Sequence, residues 1–331
     1  MNTTEKQDVY TRITNKIVAD LEQGVRTWMR PWNAVNTAGR IMRPLRFNGV
    51  PYSGINILML WAESVTQGFA SPTWMTFRQA LELNAHVRKG EKGSLVVYAN
   101  SVTRTEEDDK GEETEREIHY MKGYTVFNVE QIEGLPEQYY AKPEVTTTQV
   151  ERIGHAEEFF KATKAEVRYR GNNAYYSIEG DYIQMPAIEA FRDAESFYAT
   201  LAHESAHWTK HPSRLDRDFG RKQWGDEGYA REELVAELAS AFLCADLGIT
   251  PEVRDDHSSY IANWLTGLKN DKRAIFSAAS HAQKAVDFLH GLSAKPEAPA
   301  APAREKSGSV QCDLEVAAPE LSFAANASPA A

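Results

Sequence analysis

Residues 196–209 read SFYATLAHESAHWT, and the pentapeptide His203-Glu204-Ser205-Ala206-His207 within them decides how the second half of the chain is read. Phe197, Tyr198 and Leu201 precede it at helical spacing, and no Pro or Gly interrupts, so one helix is expected here. Positions four apart share a helix face, which lets both imidazoles reach a single ion. Zn2+ in such a place lowers the pKa of a bound water towards about 7. The carboxylate of Glu204, beside the first His, can then take the proton of the attacking water and pass it to a leaving group.

A catalytic zinc needs a third protein ligand and an open fourth position. Residues 231–243, REELVAELASAFL, offer Glu233 and Glu237, four apart on one face with Ala230, Leu234 and Ala241 nearby. Two carboxylates on a partly buried face are costly without a cation or a hydrogen-bonding partner. We assign Glu233 as the third ligand. Glu237 then accepts a hydrogen bond from a ligand His and sets its tautomer; the reverse assignment stays open. Glu232, about 100° away on the helix, is expected to face solvent. Mn2+ or Co2+ suits the same ligands. His211, His257, Tyr229 and Tyr260 are unranked candidates to donate to a developing oxyanion. Pro212 ends the turn that carries His211, so it is not counted as a ligand.

Working outward, residues 149–163, 230–247 and one or two segments of 258–290 read as further helices. AYYSIEGDYIQMP, residues 174–186, reads as a hairpin around Glu179-Gly180-Asp181, with residues 182–185 as an edge strand open to an extended peptide. Residues 291–331 are Ala/Pro-rich and are expected to be disordered. Residues 136–148, with two prolines and a Thr run, read as a linker. In the first half, residues 7–24 and 55–66 read as helices, and a third is expected from Pro72 through Leu81. Strands are expected at 95–102 and 123–128, joined by an acidic solvated loop over 106–117. The fold class is therefore α+β in two domains. Residues 1–135 form an α+β domain and 149–290 a mostly helical domain with a small sheet.

The 331 residues carry a net charge of −10, unevenly spread: +5 over residues 1–100, −7 over 101–150 and −8 over the rest. A basic first third on an acidic chain points to a polyanion partner. Residues 26–98 interleave cations with aromatics, as a single-strand binder requires. Arg26, Arg30, Arg43, Arg46, Arg88, Lys89 and Lys92 are candidate phosphate contacts. Trp28, Trp32, Phe47, Tyr52 and Trp74 are candidate stacking platforms, and Asn48 can bond sugar or base edges. Trp61 and Phe77 sit in apolar helical runs and are expected in the core. No duplex-reading motif is visible. There is no long apolar run and no signal-like start, and the two cysteines, Cys244 and Cys312, lie far apart. A reducing cytoplasm without membrane attachment is expected.

YATLAHESAHWTKHPSRLDR at 198–217 and YAREELVAELASAFLCADLGI at 229–249 resemble the zincin-like domain of ArdC-type antirestriction proteins. PWN at 31–33, PYSGIN at 51–56, SPTWMTFRQA at 71–80 and VRKGEKGSLVVY at 87–98 resemble that family's N-terminal domain. The resemblance covers about residues 7–290. It implies carriage on conjugative plasmids and protection of single-stranded DNA entering a recipient cell from host restriction. It also implies an N-terminal domain that binds single-stranded DNA, related to that of TraC-type plasmid primases, and a metallopeptidase-like C-terminal domain. Metal ligation falls on His203, His207 and a Glu of the later helix, and catalysis on Glu204. Two other functions fit the residues: a regulatory zinc metallopeptidase acting on a host protein, localised or activated by DNA, and a primase accessory module.

Overall fold

The computed structural model describes residues 8–24, 28, 42–107, 113–140, 149–220, 227–250 and 258–293. Helix α1, Val9–Glu22, starts where the Asp8 side chain accepts from the Thr11 N–H at 3.0 Å, and it buries Ile13, Ile17 and Leu21. Strand β1, Leu45–Arg46, leads to α2, Ile55–Gln67, which is closed by Gly68 in the left-handed conformation. Strand β2, Thr73–Thr76, runs directly into the short helix α3, Phe77–Glu82. Strand β3, His86–Val87, precedes the long hairpin of β4, Ser94–Glu107, and β5, Glu113–Asn128, and β6, Ile132–Glu133, pairs back with β3. The larger sheet has the order β1-β2-β5-β4.

Helix α4, Gln149–Ala162, opens the second half, followed by β7, Glu166–Tyr169, β8, Tyr175–Ser177, and β9, Tyr182–Met185. Four helices complete it: α5, Ala194–Trp208; α6, Glu227–Leu247; α7, Ser258–Asn270; and α8, Ala274–Ser293. Every residue of α5 from Ser196 to Trp208 is buried, because α5 lies between α6 and the β7-β9-β8 sheet.

The α+β two-domain architecture is as expected, and the two halves share one apolar core. Ile13, Ile17, Trp28, Ile57 and Trp61 belong to the same buried cluster as Phe242, Trp264 and Ile275. Trp61 meets Phe242 edge-on at 5.9 Å, and Trp28 meets Trp264 at 6.4 Å. Polar contacts fasten the same seam. The Thr14 hydroxyl donates to the Lys272 carbonyl at 2.7 Å, and the Arg43 guanidinium reaches Asp246 at 2.8 Å and Gln283 at 3.0 Å.

Several expectations are corrected. The helix from Pro72 is a strand followed by a helix. Trp74 and Met75 pair in register with Asn128 and Phe127, and the Thr76–Gln79 capping box starts the helix only at Phe77. Phe77 is half-exposed rather than core. The acidic loop over 106–117 is mostly strand: the ladder continues to Glu107 opposite Glu113, and only 108–112 lie outside the described residues. Residues 182–185 are the middle strand of their sheet, since β7 pairs with β9 in parallel on the side away from β8. Strand β7 was missed because its four residues, two exposed and two half-buried, carry little periodicity. In the expected linker, the Tyr140 hydroxyl donates to the Ile132 carbonyl at 2.8 Å, which ties residues 136–140 to the first half. Residues 141–148 lie outside the described residues. So does the expected disordered tail from 294, while 291–293 are helical.

Because the core is continuous, Trp61→Ala is expected to destabilise the whole chain by about 3–5 kcal/mol. Urea unfolding followed by tryptophan fluorescence and far-UV circular dichroism should show coincident transitions, both shifted in the variant.

Candidate metal centre

Helices α5 and α6 pack antiparallel, as two contacts show. The Ser240 hydroxyl donates to the Ala199 carbonyl at 3.1 Å, and nearer the other end His207 Nδ1 lies 3.0 Å from Glu232 Oε1. The intervening residues are thereby set face to face. His203 Nε2 and His207 Nε2 are 3.1 Å apart. The carboxylate of Glu233 faces both, at 3.5 Å from His203 Nε2 and 3.3 Å from His207 Nε2. His203, His207 and Glu233 are all buried, and their ligand atoms lie within 4.8 Å of one another. Two imidazole nitrogens and one carboxylate oxygen converging on a point form the donor set that Zn2+ takes in a catalytic site. Glu204, buried on the same turn of α5, is not part of the converging set.

Glu232 requires a correction. It is buried, and its carboxylate is held from two sides: Oε1 faces His207 Nδ1, while Arg217 donates from Nε to Oε2 and from Nη2 to Oε1, both at 2.8 Å. Arg217 also donates to the Ala206 carbonyl at 2.9 Å and to the Thr209 hydroxyl at 3.1 Å. The chain after α5 brings this arginine back. Leu215 N–H bonds the Thr209 carbonyl, Arg217 N–H bonds the Lys210 carbonyl, and Asp216 takes a positive φ of 44° to close the turn. The flank of α6 that a helical wheel assigns to solvent is therefore covered by residues 209–217. Glu232, rather than Glu237, is the carboxylate on His207. A cation that displaces the Nε2 proton of His207 would leave Nδ1 protonated towards Glu232 and turn the Nε2 lone pair to the cluster. Glu237 is buried one turn beyond Glu233.

The electrostatics favour a cation. Burial pushes the Glu233 carboxyl up, but the imidazoles of His207 and His203 outweigh it and hold the group well below the usual carboxylate range. Burial also raises Glu232, yet the Arg217 and His207 hydrogen bonds bring it down to about 2. Burial lowers His207, but the Glu233 and Glu232 carboxylates push it up to about 9. Arg217 neutralises Glu232, and the proton that Glu233 holds on His207 is the charge a bound cation would replace.

The wall beside the site is also braced. Arg214 lies over the Trp208 ring at 3.9 Å, donates to the Trp208 carbonyl at 2.7 Å and pairs with Asp181 in the β8–β9 turn. The other candidates named from sequence do not join the cluster. His211 Nδ1 is 2.7 Å from the Ser213 hydroxyl at the surface, and Tyr229 packs against the core. His257 and the Tyr260 side chain lie outside the described residues. Arg217 was missed because an arginine in a polar stretch carries no sequence signal of burial.

The nucleic-acid candidates divide sharply. Trp28, Tyr52 and Trp74 are buried, so their faces are closed to bases, and Arg43 is buried against Asp246. Arg46, Asn48, Arg88, Lys89 and Lys92 are exposed. Arg26, Arg30 and Trp32 lie outside the described residues.

A helix bearing HExxH, packed on a helix that supplies a buried glutamate to the same point, defines a zincin-type centre. The family described as "Zincin-like metallopeptidase" matches residues 154–281, and "N-terminal domain of anti-restriction factor ArdC" matches residues 7–127. The crystal structure of the antirestriction ArdC protein from plasmid R388, metal-free, is 47% identical, with a TM-score of 0.73 over 87% of this chain and 98% of that one. Its Mn(II)-bound form is 45% identical, with a TM-score of 0.72 over 87% and 99%. The uncharacterized protein y4eC of Sinorhizobium fredii is 41% identical over 86% of this chain and 92% of its own length. The DNA primase TraC of Escherichia coli is 36% identical over 86% of this chain, which spans only 27% of that protein. The chain belongs to the ArdC family of antirestriction proteins.

Glu232→Gln is expected to weaken Zn2+ binding by about 10- to 100-fold, and Glu233→Ala to abolish tight binding. Competition against a chromophoric chelator at fixed pH measures both.

Proposed function

We propose that the protein binds single-stranded DNA entering a recipient cell during conjugation and shields it from host restriction, with a zinc-dependent peptidase-type centre in its second domain. The observation that carries this reading is the likeness to the solved antirestriction proteins over 87% of the chain, with both domains in one continuous match. The exposed Arg46, Arg88, Lys89 and Lys92 supply phosphate contacts, and Asn48 a polar one. Occupancy alone can protect, because a coated strand is slow to become the duplex that restriction enzymes cut.

At the metal centre His203, His207 and Glu233 would hold the ion. When bound, such an ion polarises a carbonyl and makes water acidic enough to attack near neutral pH. Glu232, clamped by Arg217, orients His207. Glu204 takes the proton from the attacking water and returns it to the departing nitrogen. Zn2+ is the proposed metal, and Mn2+ or Co2+ fits the same nitrogen and oxygen donors. The completeness of this buried set supports the second reading, a regulatory metallopeptidase acting on a host protein. A primase accessory role rests only on the TraC likeness.

Full-length protein titrated into labelled oligonucleotides should prefer single strands to duplex. Its log K should fall against log salt with a slope of about −0.7 per phosphate contact; a flat response would count against the reading. Glu204→Gln should leave this binding unchanged. If plasmid transfer into a restricting recipient loses protection in that variant, the peptidase reading takes precedence. If protection persists, occupancy suffices.

Among the described residues no helix is long and apolar enough to cross a membrane, and Cys244 is a buried free thiol. Cys312 lies outside the described residues.

A further inference from the structure

Of the aromatics read from sequence as stacking platforms and present among the described residues, Trp28, Tyr52 and Trp74 are buried and Phe47 packs half-buried against the Met75 cluster, so open rings have to be found elsewhere. The β4–β5 hairpin has two unlike faces. On one, Leu95, Val97 and Met121 join the main core, and the backbone of Gly123 lies close to Val9 of α1. On the other, Val96 and Val126 are covered by Tyr52, Leu60 and Trp74. Further along this second face the cover ends. Tyr98 is 48% exposed and Tyr124 43%, their rings 6.3 Å apart and edge-to-face. Lys122, exposed, is the direct cross-strand partner of Tyr98, and the half-buried Tyr120 is the partner of Asn100.

We propose that the Tyr98–Tyr124 face of this hairpin is the stacking platform for single-stranded DNA. Bases lie on the two rings, and phosphates are drawn to the exposed Lys122 beside them. This placement rests on the single-strand-binding reading and gives it a surface. Aromatic faces serve every base, and flanking cations track the backbone, so the platform is indifferent to sequence.

The test is anisotropy of a labelled oligo-dT at low salt with the full chain. Tyr98→Ala and Tyr124→Ala should each weaken binding about 5- to 100-fold, whereas Tyr98→Phe and Tyr124→Phe stay within about 2-fold of the parent because the ring remains. Lys122→Gln should reduce the salt slope by about 0.7. Phe77→Ala, at the other exposed ring near this sheet, should change nothing. Melting by circular dichroism confirms that each variant is folded. Parental affinity in both Tyr→Ala variants overturns the placement and leaves single-strand binding standing, as does loss confined to Phe77→Ala. A parent that binds no single strand removes both. A dimer that Tyr98→Ala dissociates would assign the face to a second copy of this chain and overturn the proposal.

Discussion

Helix α5 packs antiparallel on α6, and this pairing sets His203, His207, Glu232, Glu233 and Glu237 into an interior that is otherwise apolar. Ionisable groups at that depth cost free energy unless each has a partner. Arg217 discharges Glu232, Glu232 orients His207, and the two imidazoles meet Glu233. What remains is a carboxylate and two imidazole nitrogens converging on one point, an arrangement that a divalent cation completes by displacing the His207 proton. The surroundings follow from that demand. Residues 209–217 fold back to deliver Arg217, and the β8–β9 turn is tied to the end of α5 through Arg214 and Asp181.

The shared core constrains how the two domains act. Trp28, Trp61 and Arg43 come from the first half, yet each is seated on residues of the second. The polar and aromatic richness of residues 26–61 thus serves partly to join the domains. A DNA-contacting surface has to be made from what this seam leaves exposed: the basic turn at 88–92 and the faces of the long hairpin.

Much of the helical framework was legible from sequence. Apolar positions at three- and four-residue spacing mark α1, α2, α5 and α6, and Gly68 and Gly248 stand at the ends of α2 and α6, where a left-handed residue is needed. The spacing of His203 and His207 alone places two imidazoles on one face. These features are local, because a helix satisfies its own backbone and its period is written in consecutive residues.

The tertiary structure decided what local pattern cannot encode. Whether Glu232 meets solvent depends on a return of the chain fifteen residues earlier in sequence, not on its place around α6. Whether a tryptophan stacks on a base or fills a core depends on which helix lies across it, so Trp28 and Trp74 are buried while Phe77 is bare. The acidic stretch near residue 110 reads as a loop by composition. It becomes mostly ladder because strand pairing is satisfied between segments, which composition does not show. Sequence by itself thus determined the helices and the identity of the metal-binding motif. Burial, pairing and the choice of exposed face were decided by contacts between residues distant in the chain.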